Sequence, residues 1–149
     1  MTANQPRCNF QLDPQLEQDT TFVARLQLCR ILLMEDARYP WTILVPARPA
    51  VVEIIDLCDA DRAQLFAEIC LVSQAFRQLF LPHKLNVAAL GNQVRQLHVH
   101  VIARQADDPA WPGPVWGVGA SDPYDDQKRL ERIGSLDAAL ASVVGSTPD

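Results

Sequence analysis

Between residues 59 and 80 the apolar side chains Leu65, Phe66, Ile69, Val72, Phe76 and Leu79 recur at three- and four-residue steps, with Arg62, Glu68, Gln74 and Arg77 between them. That period makes an amphipathic helix. Asp59 is placed to cap its start and Pro82 to stop it. On either side of this block the period falls to two. "TTFVARLQL" alternates Phe22, Ala24, Leu26 and Leu28, "CRILLMED" supplies a partner strand, and "WTILVPAR" is a third strand closed by Pro46 and Pro49. Beyond the helix, "KLNVAAL" and "QLHVHVIA" read as two more strands joined by "GNQV". Short connections favour antiparallel pairing. The chain is therefore expected to be α+β: an antiparallel sheet of about five strands with one long helix on one face.

The ends are weaker in pattern. Residues 6 to 19 are a short helical or irregular lead-in, and a second helix is expected within Tyr124 to Ser142, weakened by Gly134. At 149 residues the chain is expected to be one domain over residues 1–149, with a core over about 20–117 and a tail over 121–149.

Composition narrows the function. A net charge of −5 argues against wrapping nucleic acid or docking on an anionic membrane, since both need basic patches, but leaves room for one small anionic ligand. No apolar run is long enough to span a bilayer, and the first residues lack the pattern of a signal peptide, so a cytoplasmic location is expected. The four cysteines form no CxxC pair and take no functional role here. Cys29 and Cys70 sit in apolar company and read as core residues, and Cys8 reads as exposed.

The chemistry concentrates in "VRQLHVHVIAR", which holds two of the chain's three histidines. On a strand, Leu97, Val99 and Val101 point one way and Gln96, His98 and His100 the other. The apolar set faces the helix; the polar set faces water, a ligand or a partner. Three readings follow from the residues alone. They are solvated polar groups; or two of a metal's ligands, the third to come from Asp36, His83 or a distant carboxylate; or an imidazole nucleophile with a polar neighbour, since a neutral ring nitrogen can attack phosphorus.

The wider pattern resembles the histidine-triad (HIT) family. "QLHVHVI" resembles its His-φ-His-φ-His-φ-φ signature, with φ apolar and Gln96 in place of the first histidine. "ILLMEDARYPWTILVPARP", "NVAALGNQVRQLHVHVIAR" and the later "WPG" are similar to the family's surrounding segments, so the resemblance spans roughly residues 20 to 117. It implies a nucleotide hydrolase or transferase that forms a covalent nucleotidyl-histidine from nucleoside phosphoramidates or dinucleoside polyphosphates. The substrate is then a purine nucleotide or dinucleotide, the protein a homodimer, and no metal cofactor takes part. On the same ground His98 is the nucleophile, His100 contacts the phosphate, and Asp36 hydrogen-bonds ribose hydroxyls. Asn86 and Gln93 hold phosphate oxygens or the leaving group. Separately from the resemblance, Trp111 and Trp116 are expected to close a pocket or a dimer interface, since aromatic residues favour such half-buried places, and Trp111 is counted with the nucleotide-binding residues.

Each of these residues has an ordinary alternative: Asp36 as a turn residue, Asn86 on an exposed strand, Gln93 in a loop, the tryptophans as packing for the tail. His83, just beyond the helix, is most simply a C-terminal charge partner. Gln96 keeps a donor and an acceptor but cannot titrate. If the first histidine serves by orienting, glutamine can replace it; if it must carry a proton, activity falls. The competing function is a nucleotide-binding module with little catalysis.

Overall fold

The computed structural model describes residues 9–146. Five strands, β1 (Thr20–Arg25), β2 (Cys29–Met34), β3 (Trp41–Pro46), β4 (Lys84–Ala88) and β5 (Val99–Arg104), pair antiparallel in the order β1-β2-β3-β5-β4. Three helices accompany them: α1 (Pro14–Asp19), α2 (Asp59–Phe80) and α3 (Asp126–Gly145).

The sheet is covered on both faces, which is why β3 and β5 are buried at every position despite their alternating chemistry. On one face Ile31, Leu33, Leu44, Val99, Val101 and Ala103 pack in one apolar cluster with Leu65, Ile69, Val72 and Phe76 of α2. Leu136, Leu140 and Val143 of α3 join the same cluster, so the tail is part of the core rather than an appendage. On the other face Leu32, Ile43, Val45 and Ile102 pack with Leu16 of α1 and with Tyr39, Trp41 and Val115. Phe10 and Leu12 of the lead-in lie against this second cluster.

Several local expectations are corrected. β1 does not keep period two: its pairing with β2 shifts between Phe22 and Ala24, and the bulge turns Val23 inward while Phe22 stays 54% exposed. On α2 the inward stripe carries Glu68 (2% exposed), not Phe66 (56%). Glu68 is buried because its carboxylate accepts the N–H groups of Leu28 and Cys29, at 2.7 and 2.8 Å, and Gln64 Nε2 at 2.9 Å. It thereby closes the turn between β1 and β2. Cys29 is buried as expected, with burial pushing its thiol pKa up, but Cys70 is exposed on the outer side of α2. Cys8 lies outside the described residues.

α2 begins at Asp59 itself. Cys58 is the N-cap without a side-chain bond, and Asp59 and Asp61 occupy the first turn, where negative charge suits the helix dipole. The helix ends at Leu81, held at φ 45° just before Pro82. β5 starts at Val99, so Gln96, Leu97 and His98 precede the ladder rather than belonging to it. No helix among the described residues is long and apolar enough to cross a membrane.

Candidate functional site

His98 and His100 lie at the head of β5, the strand flanked by β3 and β4. The expected division of faces is present: Leu97, Val99 and Val101 join the cluster under α2. The two imidazoles are turned the other way, yet both are buried, at 6% and 3% exposure. They meet edge to face with ring centroids 5.0 Å apart.

The hydrogen bonds fix what each ring can do. His98 Nδ1 lies 2.7 Å from the Gln96 carbonyl oxygen, which can only accept. The neutral ring therefore carries its proton on Nδ1, leaving the Nε2 lone pair. His98 lines a polar cavity of about 380 Å³ together with Glu53, Gly91, Asn92, Arg95 and Gln96. Gly91 presses on this ring: a Cβ there would stand 2.9 Å from His98 Cε1 and 2.6 Å from the Val94 carbonyl oxygen.

His100 has both nitrogens engaged. Trp41 Nε1–H donates to Nδ1 at 3.0 Å, and Nε2 lies 2.9 Å from the Leu90 carbonyl oxygen. Burial lowers the pKa of His100 to about 4, with the neighbouring His98 adding to the fall and the Leu90 carbonyl opposing it. The ring is neutral at pH 7. Trp116 packs edge-on against it at 4.9 Å and against Trp41 at 5.7 Å.

The side chain of Gln96 is tied to the lead-in rather than to either histidine ring. Its Oε1 accepts Asp13 N–H at 2.9 Å, and its Nε2 donates to the Gln11 carbonyl at 2.8 Å. One carboxamide satisfies a donor and an acceptor of the segment crossing the second face. Gln96 is half-buried and also lines the cavity of His98.

A second cavity, about 450 Å³, is lined by Met34, Asp36, Arg38, Trp41, Val115 and Trp116, among others. Asp36 is 3% exposed. Its Oδ1 accepts the N–H groups of Arg38 and Asp122 (3.2 and 3.3 Å) and Arg38 Nε (2.9 Å). Among the described residues Oδ2 accepts one bond, from Arg38 Nη2 at 2.7 Å. Burial pushes this carboxyl up, but the Arg38 and backbone donors outweigh it and hold its pKa below the usual range. His100 stands between the two cavities, touching Trp41 and Trp116 on one side and His98 on the other.

The remaining candidates sit elsewhere. Asn86 is bonded to another residue than the histidines: its Oδ1 accepts Arg104 Nη1 at 2.7 Å. Arg104 (1% exposed) also grips Asp108 through two bonds of 2.7 and 2.9 Å and the Gly113 carbonyl at 2.8 Å, pinning the loop after β5. Trp111 stacks edge-on with His83 at 5.0 Å and lies 5.6 Å from the Arg104 guanidinium carbon. Of the loop tryptophans it is Trp116 that reaches the histidines. Gln93 is exposed and lines neither cavity. Sequence reasoning passed over Trp41, Arg38 and Gly91. Trp41 opens β3, the strand that pairs with β5, and Gly91 stands in the short connection to the histidines; those two placements were the available signals.

Among the described residues no three His, Cys, Asp or Glu side chains gather into a metal-binding group. While Trp41 donates to it, His100 has no lone pair to offer a metal.

The HIT domain family model matches residues 15–107, which contain all five strands and all of α2. The chain belongs to the HIT family. Its solved relatives include a histidine triad protein from Bradyrhizobium japonicum, 46% identical, covering 88% of this chain and 98% of the other with a TM-score of 0.86. A histidine triad protein from Sinorhizobium meliloti is 43% identical over 87% of this chain and 96% of its own, TM-score 0.85. Another from Marinobacter aquaeolei is 41% identical over 90% and 98%, TM-score 0.87. A search of curated proteins found no match. The open five-stranded sheet with its C-terminal helix is thus the HIT fold, and family membership supports a role of the nucleotide-binding or hydrolase type.

Proposed function

We propose that this HIT protein is a nucleotide hydrolase or transferase acting through a nucleotidyl-His98 intermediate. The observation that carries the reading is the 2.7 Å contact between His98 Nδ1 and the Gln96 carbonyl, which leaves Nε2 as the nucleophilic atom beside a polar cavity. The Nε2 lone pair forms a bond to the α-phosphorus of a nucleoside phosphoramidate or dinucleoside polyphosphate. The bond from phosphorus to the leaving nitrogen or oxygen breaks, its electron pair departing with the leaving group, which takes up a proton from water. The adduct's ring is cationic, and its Nδ1–H stays on the Gln96 carbonyl. Water or another hydroxyl acceptor then attacks phosphorus, losing its proton to solvent, while the N–P bond breaks and its electron pair returns to Nε2.

The cavity of Trp41, Trp116 and Asp36 is the place for a purine nucleoside. Its volume of about 450 Å³ falls within the usual range for small-molecule sites, and the indoles offer flat apolar surface. Asp36 Oδ2, with a single donor, has capacity left for a ribose hydroxyl. Gln96 acts by orienting the chain before His98 and carries no proton in the reaction. Homodimer formation belongs to the same proposal, as the usual state implied by the family resemblance.

The test is to incubate the protein with a nucleoside phosphoramidate and with diadenosine polyphosphates, quench, and look by mass spectrometry for an acid-labile adduct on His98. The expected result is an adduct and turnover that His98→Ala abolishes. Undiminished turnover by His98→Ala would overturn the proposal. Binding of a nucleoside monophosphate without adduct or turnover would instead establish the binding-module reading, which the engagement of both His100 nitrogens favours.

A further inference from the structure

We propose that Trp41 is a positioning residue: its indole N–H fixes the tautomer of His100, whose Nε2–H holds the Leu90 carbonyl and so keeps Gly91 seated against the His98 ring. This rests on His98 being the nucleophile.

The chain of contacts is continuous. An indole nitrogen can only donate, so at 3.0 Å the His100 Nδ1 must accept. The single proton of the neutral ring is then on Nε2, which faces the Leu90 carbonyl oxygen at 2.9 Å. Leu90 is joined to Gly91, whose missing Cβ is the space the His98 ring fills. His98 in turn donates from Nδ1 to the Gln96 carbonyl, and the Gln96 side chain is bonded to Gln11 and Asp13. Starting at one indole, each group sets the orientation of the next.

Among the described residues, His100 has no other hydrogen-bond partner for its ring nitrogens. Ile43 and Ala88 flank it on the paired strands, Trp41 and Trp116 enclose its ring, and His98 is the titratable side chain in ring contact with it. To contact a phosphate through Nε2, as the family resemblance implied, His100 must release Leu90 and loosen the segment beneath the nucleophile. Positioning and phosphate contact are therefore alternatives in this chain. A tryptophan serving only as core filler, which its 6% exposure would also allow, has no bearing on which nitrogen of His100 is protonated.

The experiment is long-range ¹H–¹⁵N correlation of the imidazoles in the uniformly labelled full chain, from pH 5 to 8, alongside steady-state kinetics. In the unsubstituted protein His100 should show the Nε2–H tautomer and no titration across that range. In Trp41→Phe, which keeps an aromatic ring but no donor, the tautomer should become mixed and kcat should fall about 10- to 100-fold; KM reports separately the indole surface lost from the nucleoside cavity. His100→Gln, which retains one acceptor and one donor and cannot titrate, should keep kcat within about tenfold; His100→Phe, with neither, should lose it about 100-fold or more. An Nδ1–H tautomer in the unsubstituted protein, an unaltered tautomer in Trp41→Phe, or His100→Gln as inactive as His98→Ala would each overturn the proposal. A chain that turns over no nucleotide yet shows the Nε2–H tautomer, mixed by Trp41→Phe, would defeat the proposed function while leaving this relay standing.

Discussion

Gly91→Ala tests whether His98, the proposed nucleophile, is held by contact rather than by hydrogen bonding alone. The added Cβ would stand 2.6 Å from the Val94 carbonyl oxygen, 2.9 Å from His98 Cε1 and 3.5 Å from His98 Nδ1. Ordinary contact begins near 3.4 Å, so the backbone must give by roughly 0.8 Å and the ring by roughly 0.5 Å. Neither atom belongs to a flexible chain end. Moving the ring this far disturbs the 2.7 Å bond to the Gln96 carbonyl and the approach of Nε2 to phosphorus, where reacting atoms need to lie about 3–3.5 Å apart. A misplacement near 1 Å costs about 100-fold, so adduct formation should slow by about 10- to 100-fold. Overpacking should lower stability by about 1–3 kcal/mol, which denaturant titration can read. The rate should be measured in a single-turnover quench experiment, with KM expected to hold because the cavity of Trp41 and Trp116 is untouched. Gly134→Ala is the control: nothing lies within 4 Å of its Cβ position, and mid-helix alanine should add up to about 1 kcal/mol of stability. If Gly91→Ala forms the adduct at the unsubstituted rate, the steric reasoning fails.

Other expectations are shorter to state. Glu68→Gln removes one acceptor from a buried site serving Leu28 N–H and Cys29 N–H, so a denaturant midpoint should report a loss of about 1–3 kcal/mol; an unchanged midpoint would show that the turn is held without it. Gln96→Ala leaves Asp13 N–H and the Gln11 carbonyl to water, and should cost about 1 kcal/mol while speeding amide exchange over residues 11–19; slow exchange there would count against the clasp. His100, with its folded pKa depressed from 6.5 to about 4, binds a proton in the unfolded chain before it does so in the folded one. Stability should therefore fall as pH drops from about 6.5 toward 4, by up to about 3 kcal/mol from this residue. Comparing urea midpoints at pH 7 and 4.5 with those of His100→Gln isolates it, and an equal acid loss in both proteins would refute the assignment.

The sheet and its long helix were legible because apolar spacing records which side of an element meets a core. Leu97, Val99 and Val101 could be assigned to the helix-facing layer from alternation alone, and they lie there. Phe22 could not, because a bulge is a pairing event between two strands and leaves no trace in the period of one. Glu68 was misplaced for a related reason: a carboxylate on a helix reads as solvent-facing until one knows that two unpaired N–H groups wait opposite it. The histidines stood out by type and spacing, but their partners Trp41 and Leu90 are 59 and 10 residues from His100. Trp111 drew attention through its "WPG" setting, while Trp116, five residues on, is the one that folds over the rings. Gln96 could be recognised as a departure from the family pattern; that it fastens the lead-in depends on Gln11 and Asp13 arriving from the other end of the chain.

Two of the chain's three tryptophans touch the His100 ring, and both line the cavity of about 450 Å³ beside Asp36. The protein therefore carries its own optical reporter. Emission from Trp41 and Trp116 will respond to whatever enters that cavity, with Trp111, set against His83 and Arg104, as a background that Trp111→Phe would remove. Candidate compounds can be screened by fluorescence titration on the unlabelled chain before any of them is known to react.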